Sequence, residues 1–165
     1  MGQRLASEHL ELIGEMTRLE DLTLEGCDLN DADLDHLRAL DRLEFLSLEN
    51  NPVTDASLEK LSGFQELKSL FLSDTKITGV TLGKLAGMPR LHELTLDRNA
   101  IKDDALRHLS GLRNQLTFLT VGPDITDAGA EHIARLTKLE RLDLTSAPVT
   151  NEGLDVIVKA GLTHE

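Results

Sequence analysis

The residues whose types most readily suggest chemistry are a lone cysteine, Cys27, and a run of carboxylates at Asp31, Asp33 and Asp35. A cysteine nucleophile needs a base held beside it, and no histidine stands at a fixed spacing from Cys27. Its place just after a leucine-rich stretch suits a small, apolar turn residue instead. The three aspartates imitate the opening of a calcium-binding EF-hand loop. The match stops at the sixth position, which is His36 rather than Gly, and at the twelfth, which is Arg42 rather than Glu. Carboxylates at the start of a helix account for them, because they suit the positive end of its dipole. His36, His108 and His132 fall in separate segments, His9, His92 and His164 are scattered, and no metal-ligand spacing results. No nucleophile elbow, Walker loop or dinucleotide fingerprint is present, and Gly122-Pro123 reads as a turn. The expectation is a non-enzyme with no catalytic residue, cofactor or metal. An enzymatic alternative would have to be built on Cys27 or the acidic turns.

Composition sets wider bounds. The 165 residues suffice for one domain with a real core, and 40% apolar with 28% charged content is that of a globular chain. Leucine must carry the core almost alone, since there is no Trp, no Tyr and only four Phe. A net charge of -12 disfavours nucleic acid and anionic membranes as partners, both being polyanions. It suits a basic protein partner, and equally plain solubility. One cysteine cannot form an internal disulfide. No apolar run approaches the roughly 18 residues that cross a bilayer, and the N-terminus lacks a signal-peptide apolar core. Gly2 is followed by Ala6, where a myristoylation motif takes Ser or Thr. Together these predict a cytoplasmic, reducing location.

A repeat positions all of these residues. Leu19, Leu43, Leu67 and Leu91 stand 24 apart, and each opens the phrase Leu-x-x-Leu-x-Leu. Two further copies begin at Leu116 and Leu139. The last two apolar residues of each phrase stand two apart, as in a strand. An apolar anchor and a cap-type residue follow: Asn30, Thr54, Thr78, Thr126 or Thr150, each expected to accept from free N–H groups at a helix start. The copy with Lys102 is expected to use Asp103 instead. Stripes such as Leu34/Leu37/Leu40 and Leu58/Leu61/Phe64 then step by three, as along one face of a short helix. Each unit therefore reads strand, turn, helix, turn, and neighbours must stack to share a core. The step from Leu91 to Leu116 is 25 residues and that from Leu116 to Leu139 is 23. One residue is added near Asn114-Gln115 and one lost near Gly122-Pro123-Asp124, which an idealised designed array would avoid.

The whole of 1–165 reads as one domain, with repeats starting at 19, 43, 67, 91, 116 and 139. Residues 1–18 form an N-terminal cap, whose helix over 3–17 carries the stripe Leu10, Ile13 and Met16. No polar cap follows the last helix near Gly161. The C-terminal strand edge is thus expected to be open, and an open edge can pair with a second copy.

The phrase Leu-x-x-Leu-x-Leu, two residues, then Cys, Asn or Thr, then Ile-Thr-Asp resembles the leucine-rich repeat. Val53-Thr54-Asp55 and Ile125-Thr126-Asp127, with Cys27 in the first unit, are similar to the cysteine-containing subtype of F-box adaptors and bacterial repeat proteins. The resemblance spans about 8–162. It departs at the turn position, where Asn51, Thr75, Asn99 and Ala147 stand in other copies, and 18 residues before the first repeat are too few for an F-box. It implies an α/β right-handed solenoid bent into a horseshoe arc, with a parallel sheet on the concave face and short helices on the convex face. It also implies a protein-protein interaction module that takes its partner on the concave sheet.

Residues that alternate with the strand leucines then face the concavity. Among these eighteen lie Phe45, Phe71 and Phe118, where chance would put fewer than one of the four phenylalanines. Buried aromatics dominate interface energetics, so these three are candidate anchors. Phe45 and Phe71 stand on a diagonal of adjacent strands, roughly 7–8 Å apart. The alternative is that strands simply favour aromatics, which pack on one another. Around them lie Glu25, Glu49, Glu93, Asp97 and Asp143, which would steer a basic partner, and one base, Arg141.

Overall fold

The chain is seen in a computed structural model that describes residues 4–161; Gly2 and His164 lie outside the described residues. Six strands, β1 (Asp21–Thr23), β2 (Phe45–Ser47), β3 (Ser69–Phe71), β4 (Glu93–Thr95), β5 (Phe118–Thr120) and β6 (Arg141–Asp143), form one parallel sheet in chain order. The register aligns Leu22, Leu46, Leu70, Leu94, Leu119 and Leu142 in a single row across the sheet. The row stays intact through β5, so the added and lost residues are absorbed in the flanking turns. At the first of these, the Gln115 side-chain amide donates to the Met88 carbonyl at 2.8 Å. Strand and helix leucines from successive units merge into one core that runs from Leu10 to Ile157. Among the described residues no helix is long and apolar enough to cross a membrane.

The segment after each strand is helical in every unit, but of two kinds. It is an α-helix in the second, fifth and sixth units: α2 (Asp55–Leu61), α3 (Asp127–Ile133) and α4 (Asn151–Lys159). In the first, third and fourth it is a 3₁₀ helix: η1 (Asp33–Leu37), η2 (Leu82–Gly87) and η3 (Asp103–Leu112). The stripe spacing of three fits either winding. Thr54, Thr126 and Thr150 accept from the N–H of Ala56, Ala128 and Glu152, and α-helices follow. Asn30 likewise accepts from the Ala32 N–H at 2.8 Å, yet the 3₁₀ segment η1 follows, and η2 and η3 start without a side-chain cap. Thr78 is therefore not the cap its position predicts. Gly79 follows it with φ +91° and delays the helix to Leu82. Asp103 does not replace the missing cap either; it begins η3 and turns its carboxylate to Thr126.

That use of Asp103 belongs to a ladder between units. Asp31, Asp55, Asp103 and Asp127 each accept from the backbone N–H and the hydroxyl of the threonine one repeat on: Thr54, Thr78, Thr126 and Thr150. The distances lie between 2.6 and 2.8 Å. Burial alone would raise the Asp55 carboxyl. The N–H and hydroxyl of Thr78, with the N–H groups of Thr81 and Gly79, outweigh it and hold the group below its ordinary value of 3.8. A depressed folded value stabilises the fold above pH 3.8, and the contribution is lost as pH falls below that value. Asp55→Asn is accordingly expected to be less stable than wild type at neutral pH, with the gap closing below pH 3.8. Urea unfolding across an acid series reads this directly, and a gap independent of pH would refute it.

The ends of the core differ. At the N-terminus α1 (Ser7–Gly14) buries Leu10 and half-buries Ile13, whereas Met16 lies beyond the helix and is exposed, contrary to the predicted stripe. A Cβ at Gly14 would collide with the His36 carbonyl, which is why α1 can sit so close to η1. At the C-terminus Leu142, Leu144 and Val149 are only half-buried. Leu154 is 42% and Val158 53% exposed.

Candidate functional site

The concave sheet face is built from short side chains overlain by long ones. Ser47, Ser69, Ser73, Thr95 and Thr120 point into the concavity and are nevertheless buried. The Thr95 and Thr120 hydroxyls accept from the N–H groups of Leu72 and Leu96 on preceding strands. Alternation therefore decides which face a residue takes, but its neighbours decide whether solvent reaches it.

Phe45 and Phe71 meet edge to face with ring centroids 5.0 Å apart. Register puts Phe45 opposite Ser69 and Phe71 opposite Ser47, so the rings lean toward each other over the two serines. Both remain half-buried. Phe118 lies apart from them on β5, and the Arg141 guanidinium covers its ring at 4.5 Å from the centroid. Arg141 is held there by Glu93, whose Oε1 accepts at 2.7 Å while its Oε2 accepts from the Ser69 hydroxyl at 2.8 Å. Four residues further along, Ser73 donates to Asp97. Glu93 and Asp97 thus have partners within the chain.

The remaining carboxylates are freer. Glu25 is exposed and accepts from the Asn50 amide at 2.9 Å, and Glu49 is half-buried. Asp143 accepts from the hydroxyl and N–H of Thr145, which hold its carboxyl below the usual range. Of the nine predicted residues the fold brings five into contact at two stations, the Phe45–Phe71 pair and the Phe118–Arg141–Glu93 stack, and Glu25, Glu49, Asp97 and Asp143 stand outside both.

The chemistry-bearing residues stay separate. Cys27 is half-buried against the core, and its thiol donates to the Glu25 carbonyl at 3.4 Å. Among the described residues no group of three His, Cys, Asp or Glu side chains could hold a metal ion. In the column of Cys27, Asn51 and Asn99 are buried and bridge neighbouring turns. The Asn51 amide donates to the carbonyls of Leu24 and Leu48 and accepts from the Leu29 N–H. Asn99 does the same with Leu72, Leu96 and Thr75.

A parallel sheet in strict chain order, each strand returning through a short helix after about one repeat, defines a parallel α/β solenoid. Residues 41–101 match a family profile described as leucine rich repeat, and residues 135–158 match a second of the same description; the chain belongs to the leucine-rich-repeat family. No curated protein matches its sequence.

Among solved structures it is similar to internalin C2 of Listeria monocytogenes, at 24% identity and TM-score 0.65, over 85% of this chain and 55% of that one. Internalin F of the same organism gives 25% and 0.60, over 93% and 48%. A leucine-rich-repeat protein of Leptospira interrogans gives 22% and 0.62, over 90% and 36%. The chain spans about half the length of the internalins, and at these identities the likeness speaks for the fold. Leucine-rich-repeat proteins commonly mediate protein-protein interaction and are typically non-enzymatic.

Proposed function

We propose that the chain is a protein-interaction module that takes its partner on the concave sheet. The observation that carries this reading is the edge-to-face pair Phe45–Phe71, left half-exposed on an otherwise polar, acidic face. A partner side chain seated against both rings would complete their burial, which is where interface energy concentrates. Glu25, Glu49 and Asp143 would steer a basic partner and make its association salt-dependent. Arg141 shields Phe118, so this second station would present the guanidinium first. A cytoplasmic setting suits the unpaired Cys27.

The test is a pull-down from lysate of the source organism, comparing wild type with Phe45→Ser/Phe71→Ser/Phe118→Ser after circular dichroism has verified the fold. Wild type is expected to retain a partner that the variant holds at least about tenfold more weakly. Equal retention by both proteins would exclude the concave face.

A second reading rests on the exposed Leu154 and Val158 beside the half-buried leucines of β6. The last repeat would then serve a larger assembly, with a second copy covering its edge. Light scattering on wild type and Leu154→Glu/Val158→Glu decides it: this reading expects a dimer that the variant loses, and monomers in both cases would sink it.

A further inference from the structure

Two of the contacts that link neighbouring repeats on the helix side fail together at one junction, between the third and fourth repeats. On the convex side Lys60 pairs with Asp35 at 2.7 Å and Lys84 with Glu59 at 2.9 Å, so each lysine reaches an acid in the preceding repeat. One repeat further on, these positions are Gly83 and His108. The aspartate–threonine ladder breaks at the same place, where the aspartate is Gly79 and the threonine is Lys102. Both carboxylates of the junction are glycines, while both residues opposite them carry basic groups. Lys102 and His108 accordingly have no carboxylate partner among the described residues. Arg107 beside them has only the exposed Asp104, at 3.4 Å.

These basic groups rim a groove of about 460 Å³ between the third and fourth repeats. Val80, Ala100 and Ala105 give it an apolar lining, Thr78 and the exposed Asp104 complete it, and Val80 is 66% exposed. Gly79, next to Val80, has φ +91° and lets Ala105 pack close; a Cβ built there would lie 2.8 Å from the Ala105 methyl. A patch that joins an unpaired lysine, an arginine and an imidazole to an uncovered aliphatic side chain is out of character for a chain of net charge -12. Its complement is a ligand with carboxylates flanking an aliphatic group. We propose that this groove is a docking site, separate from the concave face, for an acidic peptide segment of a partner protein. An aliphatic side chain of that segment rests on Val80, and its carboxylates meet Lys102 and His108.

The test follows backbone amide shifts of the full ¹⁵N-labelled chain during titration with the capped peptide Glu-Leu-Glu-Glu, and with Lys-Leu-Lys-Lys as the charge-reversed control. The acidic peptide is expected to shift amides at 78–80 and 100–108 saturably, and the control to leave them unmoved. Val80 and Lys102 are both exposed, so Val80→Ser and Lys102→Glu should keep the rest of the spectrum. Each is expected to weaken binding about tenfold. The proposal fails if neither peptide gives saturable shifts, if both act alike, or if the shifts gather on the strands of the concave face. It fails equally if Lys102→Glu binds as wild type, or if the same amides shift with protein concentration alone, since a second copy would then be the occupant.

Discussion

Asn99→Ala is expected to lower the unfolding free energy by about 2–4 kcal/mol, seen as a fall in urea midpoint at unchanged slope. Asn99 is 4% exposed, and its side chain bonds backbone groups of two neighbouring turns. Its amide donates to the Leu72 carbonyl at 2.7 Å and to the Leu96 carbonyl at 3.1 Å. Its carbonyl accepts from the Thr75 N–H at 2.9 Å. Alanine strands the Thr75 N–H and the Leu96 carbonyl in a space closed to solvent, each at about 1–3 kcal/mol, while the Leu72 carbonyl keeps the Thr75 hydroxyl. Threonine should cost less, because Thr75 already occupies the same column and donates to the Leu72 carbonyl at 3.0 Å. A loss for Asn99→Ala below about 0.5 kcal/mol would mean that water satisfies the turn, and the bridging role would be wrong.

The second large effect is a contrast within one row of the sheet. Leu94→Ala is expected to cost about 3–4 kcal/mol and Leu142→Ala about 1–2 kcal/mol. Both residues occupy the same position in their strands, but Leu94 is fully buried between β3 and β5, whereas β6 leaves Leu142 half-buried. Deleting a leucine costs more the more apolar surface it had buried and the larger the cavity it leaves, so the open end should feel it least. Calorimetry or urea unfolding of the two variants measures the gap. Equal losses would mean that the last repeat is covered in solution.

The parts of this picture that could be read from the sequence are those fixed many times over. The leucine phrase recurs six times, so strand positions and even the shifted fifth strand follow from spacing alone. The kind of helix was not legible: Asn30 accepts at its helix start as Thr54 does and a 3₁₀ segment still follows, and Thr78 looks like Thr54 until Gly79 turns the chain away. Spacing put Phe45 and Phe71 on one diagonal, but backbone geometry alone left them farther apart than the 5.0 Å at which the rings meet. The Arg141–Phe118 stack was hidden because it depends on Glu93, two strands away. The groove at Val80 did leave a trace: Gly79 and Lys102 both depart from the Thr-Asp pattern, at the two positions that the ladder pairs at other junctions.

The ladders also bear on how the molecule is made. Their hydrogen bonds join residues 22 to 27 positions apart, so each repeat finds its partners in the one just completed. A ribosome delivering the chain from its N-terminus can therefore lay down finished layers one at a time, without waiting for distant sequence. The bond from Arg141 to Glu93 spans 48 positions and skips a whole layer. It can form only once the sixth strand has emerged, so the polar station of the concave face is completed after the sheet beneath it has been laid.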